Sequence, residues 1–217
     1  MTAEPADASA NPRFWDGIAE KYSRQPVEDP AAFDRKIAFT KEHLGPGRVV
    51  LDVGCGTGSL ALRLADTGAD VHGLDVSAEM IRIANDKKAA QGADNVNFHV
   101  GAFDDAFDAF EPASLDVLCA YSLLHLASDR PAMLARAHRL LKPGGAFISS
   151  TLCLRESWVP FGLIIGAMRL VGKAPHVATF TKKTLAEEIR QAGFQNVREV
   201  DVGAKPAVAF MAAEKPR

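Results

Sequence analysis

Gly54-Cys55-Gly56-Thr57-Gly58 follows a short apolar run and leads directly into a helical pattern. Glycine lets a backbone turn tightly and leaves no Cβ between the main chain and a ligand. The helix beyond points free N–H groups and a partial positive charge at the loop. A phosphate or a carboxylate fits there. Asp75 closes the next apolar run, 21 residues after Gly54. An acidic residue at that distance can accept hydrogen bonds from a ribose diol, although a solvated turn carboxylate is the plainer reading. Together the two features ask for a nucleoside joined to an anionic group. The dinucleotide fingerprint would carry its third glycine or alanine at position 59. Ser59 stands there, and the glycine comes one place earlier, at Gly58.

The elements that must hold these residues alternate. Asn11 to Tyr22 and Pro30 to Leu44 have helical spacing, and Gly45-Pro46-Gly47 stops the second. Val49 to Val53 is apolar but for Asp52, which suits a strand covered on both faces. Leu60 to Ala65 reads as a helix, Val71 to Asp75 as a strand, and Ser77 as the N-cap of the helix after it. Strands are expected at Val96–Val100, Leu115–Ala120 and Ala146–Leu152, with a helix at Arg130–Leu141. Such alternation predicts an α/β fold, a doubly wound, mostly parallel sheet with helices on both faces. After the helix Thr184–Ala192, strands at Val197–Val202 and Ala207–Ala212 are separated only by Gly203-Ala204-Lys205-Pro206. So short a link forces an antiparallel hairpin. Residues 1–12 are expected to be a disordered N-terminus ahead of a single domain, 13–217. Residues 153–180 fit neither pattern and are expected to be an insertion over the carboxyl ends of the strands.

Composition narrows the function classes. The chain has 217 residues, 47% hydrophobic and 24% charged, with a net charge of −2. That suits a globular domain with a substantial core. It offers no overall basic field for a nucleic acid. Three cysteines, Cys55, Cys119 and Cys153, argue for a reducing compartment and lack zinc spacing, so no metal is expected. The N-terminal residues lack the apolar core of a signal peptide. Trp158 to Val171 is too short to span a bilayer. A cytoplasmic location is expected.

Beyond the loop, LDVGCGTG (51–58), GLDVSAEMIRIA (73–84), LDVLCAYSLLHLASD (115–129), RLLKPGGAFISST (139–151) and LAEEIRQAGFQNV (185–197) occur in one order and spacing. In these segments the chain resembles the class I S-adenosylmethionine-dependent methyltransferases, over roughly residues 12 to 213. The resemblance implies a Rossmann-like seven-stranded sheet with its last strand antiparallel. It implies S-adenosylmethionine as cofactor, S-adenosylhomocysteine as product and a small-molecule acceptor. It also implies roles. The loop Gly54, Cys55, Gly56 and Gly58 would take the methionine part, with Asp52 beneath it. Asp75 would hold the ribose hydroxyls. Val76 and Met80 would pack on the adenine, flanked by Ala102 and Phe103. Ala120 and Tyr121 would border the methionine and sulfonium. The acidic residue common just after the glycine equivalent to Gly101 is missing here, and Asp104 comes two places later.

Each role has a plainer counterpart. Asp52 could simply cap loop amides, Met80 could fill core, and Cys55 needs no chemistry where a small residue is required. His125, past the fourth strand, is the candidate general base, or else a histidine satisfied by packing. Tyr22 could be core, or a lid residue closing on the sulfonium from the N-terminal helices (13–44). Trp158, Phe161 and Ile165 could line a pocket for an apolar or aromatic acceptor, form core, or make a homodimer contact. The expected function is in-line methyl transfer to such an acceptor. The alternatives are an NAD(P)-dependent oxidoreductase and a non-catalytic S-adenosylmethionine-binding protein.

Overall fold

A computed structural model describes residues 11–156 and 177–217. Seven strands form one sheet in the order β3-β2-β1-β4-β5-β7-β6. They are β1 (Val49–Val53), β2 (Asp70–Asp75), β3 (Val96–Val100), β4 (Leu115–Tyr121), β5 (Leu141–Leu152), β6 (Gln195–Glu199) and β7 (Val208–Glu214). The first five run parallel to one another, and β7 runs antiparallel to both β5 and β6. The sheet order reverses at β1, which pairs with β2 on one side and β4 on the other. In open sheets of this kind the ligand crevice lies at the carboxyl ends of the strands beside that reversal.

The α-helices among the described residues are α1 (Pro12–Ser23), α2 (Pro30–Lys41), α3 (Ser59–Leu64), α4 (Ala78–Gln91), α5 (Arg130–Leu140) and α6 (Lys182–Gln191). Asn11, Asp29 and Asp129 cap the first, second and fifth, each accepting a backbone N–H with a proline just inside the helix. Proline's fixed φ and missing donor suit that first turn, so side chain and backbone signal the same start.

Alternation along the strands divides the core. Val50, Val71, Val117 and Ile148 pack with Ile37, Leu60 and Leu64 on the α2 and α3 face. Leu51, Leu74, Phe147 and Met211 pack with Leu134, Leu185 and Ile189 on the α5 and α6 face. A small separate cluster joins Trp15, Ile18 and Ala19 of α1 to Met80 and Ile83 of α4.

Three sequence expectations are corrected. Pro12 is the first residue of α1, so the expected disordered N-terminus stops short of it; the remainder, residues 1–10, lies outside the described residues. The edge strand β6 lies at Gln195–Glu199, not Val197–Val202. Its register shifts between Gln195 and Arg198, and Asn196 takes φ +55°, so a bulge replaces the alternation that would locate an edge strand. The strand β5 begins at Leu141, upstream of Pro143-Gly144-Gly145, and a register shift at Leu115/Val117 accommodates the glycines. Most of the expected insertion, with Trp158, Phe161 and Ile165 and the dimer contact, lies outside the described residues. No described helix is long and apolar enough to cross a membrane.

Candidate active site

Two cavities open at the carboxyl ends of β1, β2 and β4, and they share Tyr22, Gly54, Gly56, Tyr121 and Ser122. The first holds about 110 Å³ and is largely apolar. Its wall includes Val76 and Met80 from the start of α4, and Ala102 and Phe103 beyond β3, with Asp75 between them. The second holds about 420 Å³ and runs under the glycine loop past Asp52 and Cys55 to the link between α1 and α2 and the turn before β7.

The Asp75 carboxylate closes the gap between strand and loop. The Gly56 N–H donates to its Oδ2 at 2.9 Å and the Ser77 N–H to its Oδ1 at 3.0 Å. Burial raises its pKa, while these amide hydrogen bonds pull it down. Each oxygen keeps lone-pair capacity toward the cavity. Asp52 is almost fully buried, and its Oδ1 has no hydrogen-bond partner among the described residues. Burial, then repulsion from Asp75, pushes its pKa well above the ordinary carboxylate range. Two carboxylates thus flank one loop, and a cation placed between them would relieve both desolvation and repulsion. Lys36 on α2, half-buried on the second cavity, has no ion pair or hydrogen bond from its ammonium to a described residue. That end of the cavity can take an anion.

Tyrosines frame the neck. Tyr22 reaches in from α1, and its Cε1 lies 3.7 Å from where a Cβ on Gly56 would stand. Burial, with Asp75 and Asp52 adding to it, raises its pKa. Tyr121 ends β4, and its hydroxyl lies 2.8 Å from Thr40 Oγ1. The first-cavity loop is held from outside. Arg136 donates to Asp105 and to the Phe107 carbonyl, and its guanidinium stands over the Phe103 ring at 5.4 Å.

Of the residues expected at the site, Gly54, Gly56, Asp75, Val76, Met80, Ala102, Phe103, Tyr121 and Tyr22 line the first cavity, and Asp52 and Cys55 the second. Gly58, Ala120 and His125 are placed behind the lining. Gly58 has φ +77°, and a Cβ there would stand 2.7 Å from Phe98 Cζ and 3.1 Å from Ala84 Cβ. Its glycine is required by the packing of loop, helix and strand. Ala120 is core. His125 is buried; its carbonyl accepts the Ala178 N–H at 2.8 Å, and its Nδ1 has no partner among the described residues. Burial lowers its pKa to about 4. The Cys55 thiol is buried, with its pKa pushed well up by burial and by Asp52, so it is no thiolate.

Sequence reasoning passed over Leu123, Leu126 and Met133, which line the first cavity, and Phe33, Lys36 and Ser150 on the second. Their positions follow only from helix and loop placement. It also passed over Ser122, whose φ of +54° is a signal that only the backbone carries.

Residues 44–199 match the family model described as "Methyltransferase domain". A ubiquinone biosynthesis O-methyltransferase from Thiobacillus denitrificans is 33% identical over 188 residues, 84% of this chain and 78% of the relative. Among solved structures, phosphoethanolamine N-methyltransferase 2 of Haemonchus contortus, in complex with phosphomonomethylethanolamine and S-adenosylhomocysteine, superposes with a TM-score of 0.69 at 18% identity. That match covers 85% of this chain and 53% of the other, so the chain spans about half the length of that protein. The YcgJ protein of Bacillus subtilis gives a TM-score of 0.69 at 16% identity, covering 85% of this chain and 99% of that one.

Proposed function

We propose that this chain, which belongs to the class I S-adenosylmethionine-dependent methyltransferase family, passes a methyl group to an oxygen of a small apolar or aromatic acceptor. The observation that carries the cofactor's placement is the orphaned Oδ1 of buried Asp52 on the second cavity, with Asp75 across the loop. S-adenosylmethionine brings cations to this neighbourhood, a sulfonium and an α-ammonium. A dinucleotide would bring a pyrophosphate to a loop backed by two carboxylates, where like charges repel. When bound, the cofactor supplies a methyl group on a sulfonium, already a good leaving group.

In this reading the adenosine lies in the first cavity, with Val76, Met80, Ala102 and Phe103 against the adenine and Asp75 accepting from the ribose hydroxyls. The methionine end passes through the neck. Asp52 pairs with its ammonium and Lys36 with its carboxylate. Tyr22 and Tyr121 then face the sulfonium, where aromatic faces favour a cation. The rest of the second cavity is left for the acceptor. Phe33, Pro26, Val27 and Leu152 give it an apolar wall, and Val27 and Leu152 are exposed at 44% and 39%. Relatives named O-methyltransferases support an oxygen nucleophile.

The protein's work here is alignment and exclusion of water, which can remove roughly 7–11 kcal/mol of barrier in favourable cases. Neither tyrosine at the neck is a base near neutral pH, their phenols being raised, His125 sits behind the wall, and in this reading Asp52, Asp75 and Lys36 are engaged by the cofactor. The acceptor therefore brings its own nucleophile, such as an acidic phenol. Three cysteines, an odd number and all buried, support a reducing compartment, the cytoplasm.

The test is thermal unfolding with S-adenosylmethionine, S-adenosylhomocysteine, NADH and NADPH in parallel. A ligand at about 100 times its dissociation constant adds roughly 2.7 kcal/mol, or about 5–11 °C for a chain of this size. A shift with the two adenosyl compounds alone is expected. A shift with the nicotinamides alone overturns the reading.

A further inference from the structure

Thr40 is a polar residue with no exposed surface, on a helix whose burial there would suit valine equally well. Its hydroxyl is used twice. Oγ1 donates to the Lys36 carbonyl, one turn back, at 2.9 Å. The Tyr121 hydroxyl lies 2.8 Å from the same oxygen and also donates to the Lys36 carbonyl at 3.2 Å. Two assignments of protons satisfy the three atoms: Thr40 donates to the carbonyl and Tyr121 to Thr40, or Thr40 donates to Tyr121 and Tyr121 to the carbonyl, and both keep the Thr40–Tyr121 hydrogen bond. The phenol is thereby committed to α2. The Tyr121 ring is held by an edge contact with Phe210, at 5.8 Å and 84°, and Phe210 by an edge contact with Phe39 of α2, at 5.5 Å and 81°. A ring fixed at its tip and along one edge presents one surface to the neck.

We infer that Thr40 is a positioning residue for methyl transfer: it anchors the Tyr121 phenol to α2 so that the ring stays against the cofactor's sulfonium. The inference rests on the reading given under Proposed function, in which the neck holds that sulfonium. Thr40 touches neither cavity and acts only through Tyr121.

The consequence is a discrimination by charge. S-adenosylmethionine and S-adenosylhomocysteine share every group except the methyl and the positive sulfur. A ring held against the sulfur favours the cation, and a loosened ring loses that preference. A damaged fold or a distorted pocket weakens both ligands alike.

The experiment is calorimetric titration of both ligands into wild type, Thr40→Val, Thr40→Ser, Tyr121→Phe and the Thr40→Val/Tyr121→Phe double variant. Thr40→Val and Tyr121→Phe are each expected to weaken S-adenosylmethionine about three- to tenfold relative to S-adenosylhomocysteine, the scale of one partly desolvated cation–ring contact. Thr40→Ser keeps the hydroxyl and is expected to restore the wild-type ratio. The double variant is expected to be no worse than Tyr121→Phe, since that change already removes the Thr40–Tyr121 hydrogen bond. Equal weakening of the two ligands, an unchanged ratio, or additive losses in the double variant overturns the inference. If wild type binds neither ligand, the cofactor reading itself fails. Should Thr40→Val not fold, Tyr121→Phe against Thr40→Ser decides the question alone.

Discussion

At the residue scale, the site is defined by side chains whose ordinary states burial has changed. Asp52 keeps an oxygen with no partner among the described residues, where only a cation or a donor could satisfy it. The identity of that residue was legible in the motif, but the orphaned oxygen was not, because satisfaction depends on packing from β4 and α2. His125 shows the opposite case. Its place after β4 marks it as a base, yet the fold turns it behind the lining. Its buried imidazole resists a proton until about pH 4, against an ordinary value of 6.5. The unfolded chain therefore binds more protons than the folded one between those values, and stability rises with pH across that window. The contribution is complete above pH 6.5 and falls away as pH drops toward about 4. It amounts to about 3 kcal/mol in all, with about 2 kcal/mol gone by pH 5. Melting of wild type and His125→Gln at pH 7.5 and pH 5 checks this: wild type is expected to lose more stability on acidification. Parallel losses in the two proteins would refute the assignment.

At the element scale, the parallel half of the sheet was readable because β1 and β4 are mostly apolar and β1, β2 and β3 are each closed by a glycine or an aspartate. The glycine loop was readable for the same local reason. What failed to read were features set by neighbours. Bulged β6 has little apolar alternation, since both its faces are largely exposed. Gly73 gave no signal, although a Cβ there would meet Phe98 at 2.7 Å and Cys55 Sγ at 2.9 Å. Tyr22 was legible as a lid candidate, but the attachment that holds α1 over the cavity was hidden, because it is long-range. Asp16 of α1 accepts the Ser77 hydroxyl at 2.6 Å and the Glu79 N–H at 3.1 Å. One helix therefore caps the N-terminus of another and brings Trp15 and Tyr22 over the cavity. Those hydrogen bonds hold the Asp16 pKa below its ordinary value. Asp16→Ala is expected to cost about 1 kcal/mol, the scale of a lost cap, and to lower Tm by about 2–4 °C. It is also expected to weaken S-adenosylmethionine, because α1 carries Tyr22. A variant with unchanged Tm and unchanged affinity would show that α1 is held by the Trp15–Met80 cluster alone.

At the scale of the whole molecule, stability and ligand control are divided. The sheet is sandwiched between two continuous clusters that take in helices on both faces. Helix α1 belongs to neither; it rests on α4 through a small satellite cluster, the Asp16 cap and the Arg82–Glu20 pair at 2.7 Å. Surface ion pairs add little, so α1 is the element expected to open at the least free energy. The link after it carries Glu28, which pairs with Lys205 across the far end of the second cavity. A cofactor filling the neck would touch Tyr22 on α1 and Gly54 and Gly56 on the rigid sheet side together. Binding should therefore quiet α1 and leave the sheet as it was. Hydrogen exchange with and without S-adenosylhomocysteine measures this directly. Amides of residues 16–29 are expected to slow severalfold, while those of β1, β4 and β5 keep their rates at short labelling times, before global opening contributes. Protection spread evenly over the sheet would mean that the ligand stabilises the fold as one unit and that α1 is no lid. Protection confined to β1 and α4 would place the ligand in the first cavity without closure, and would leave Tyr22 as packing.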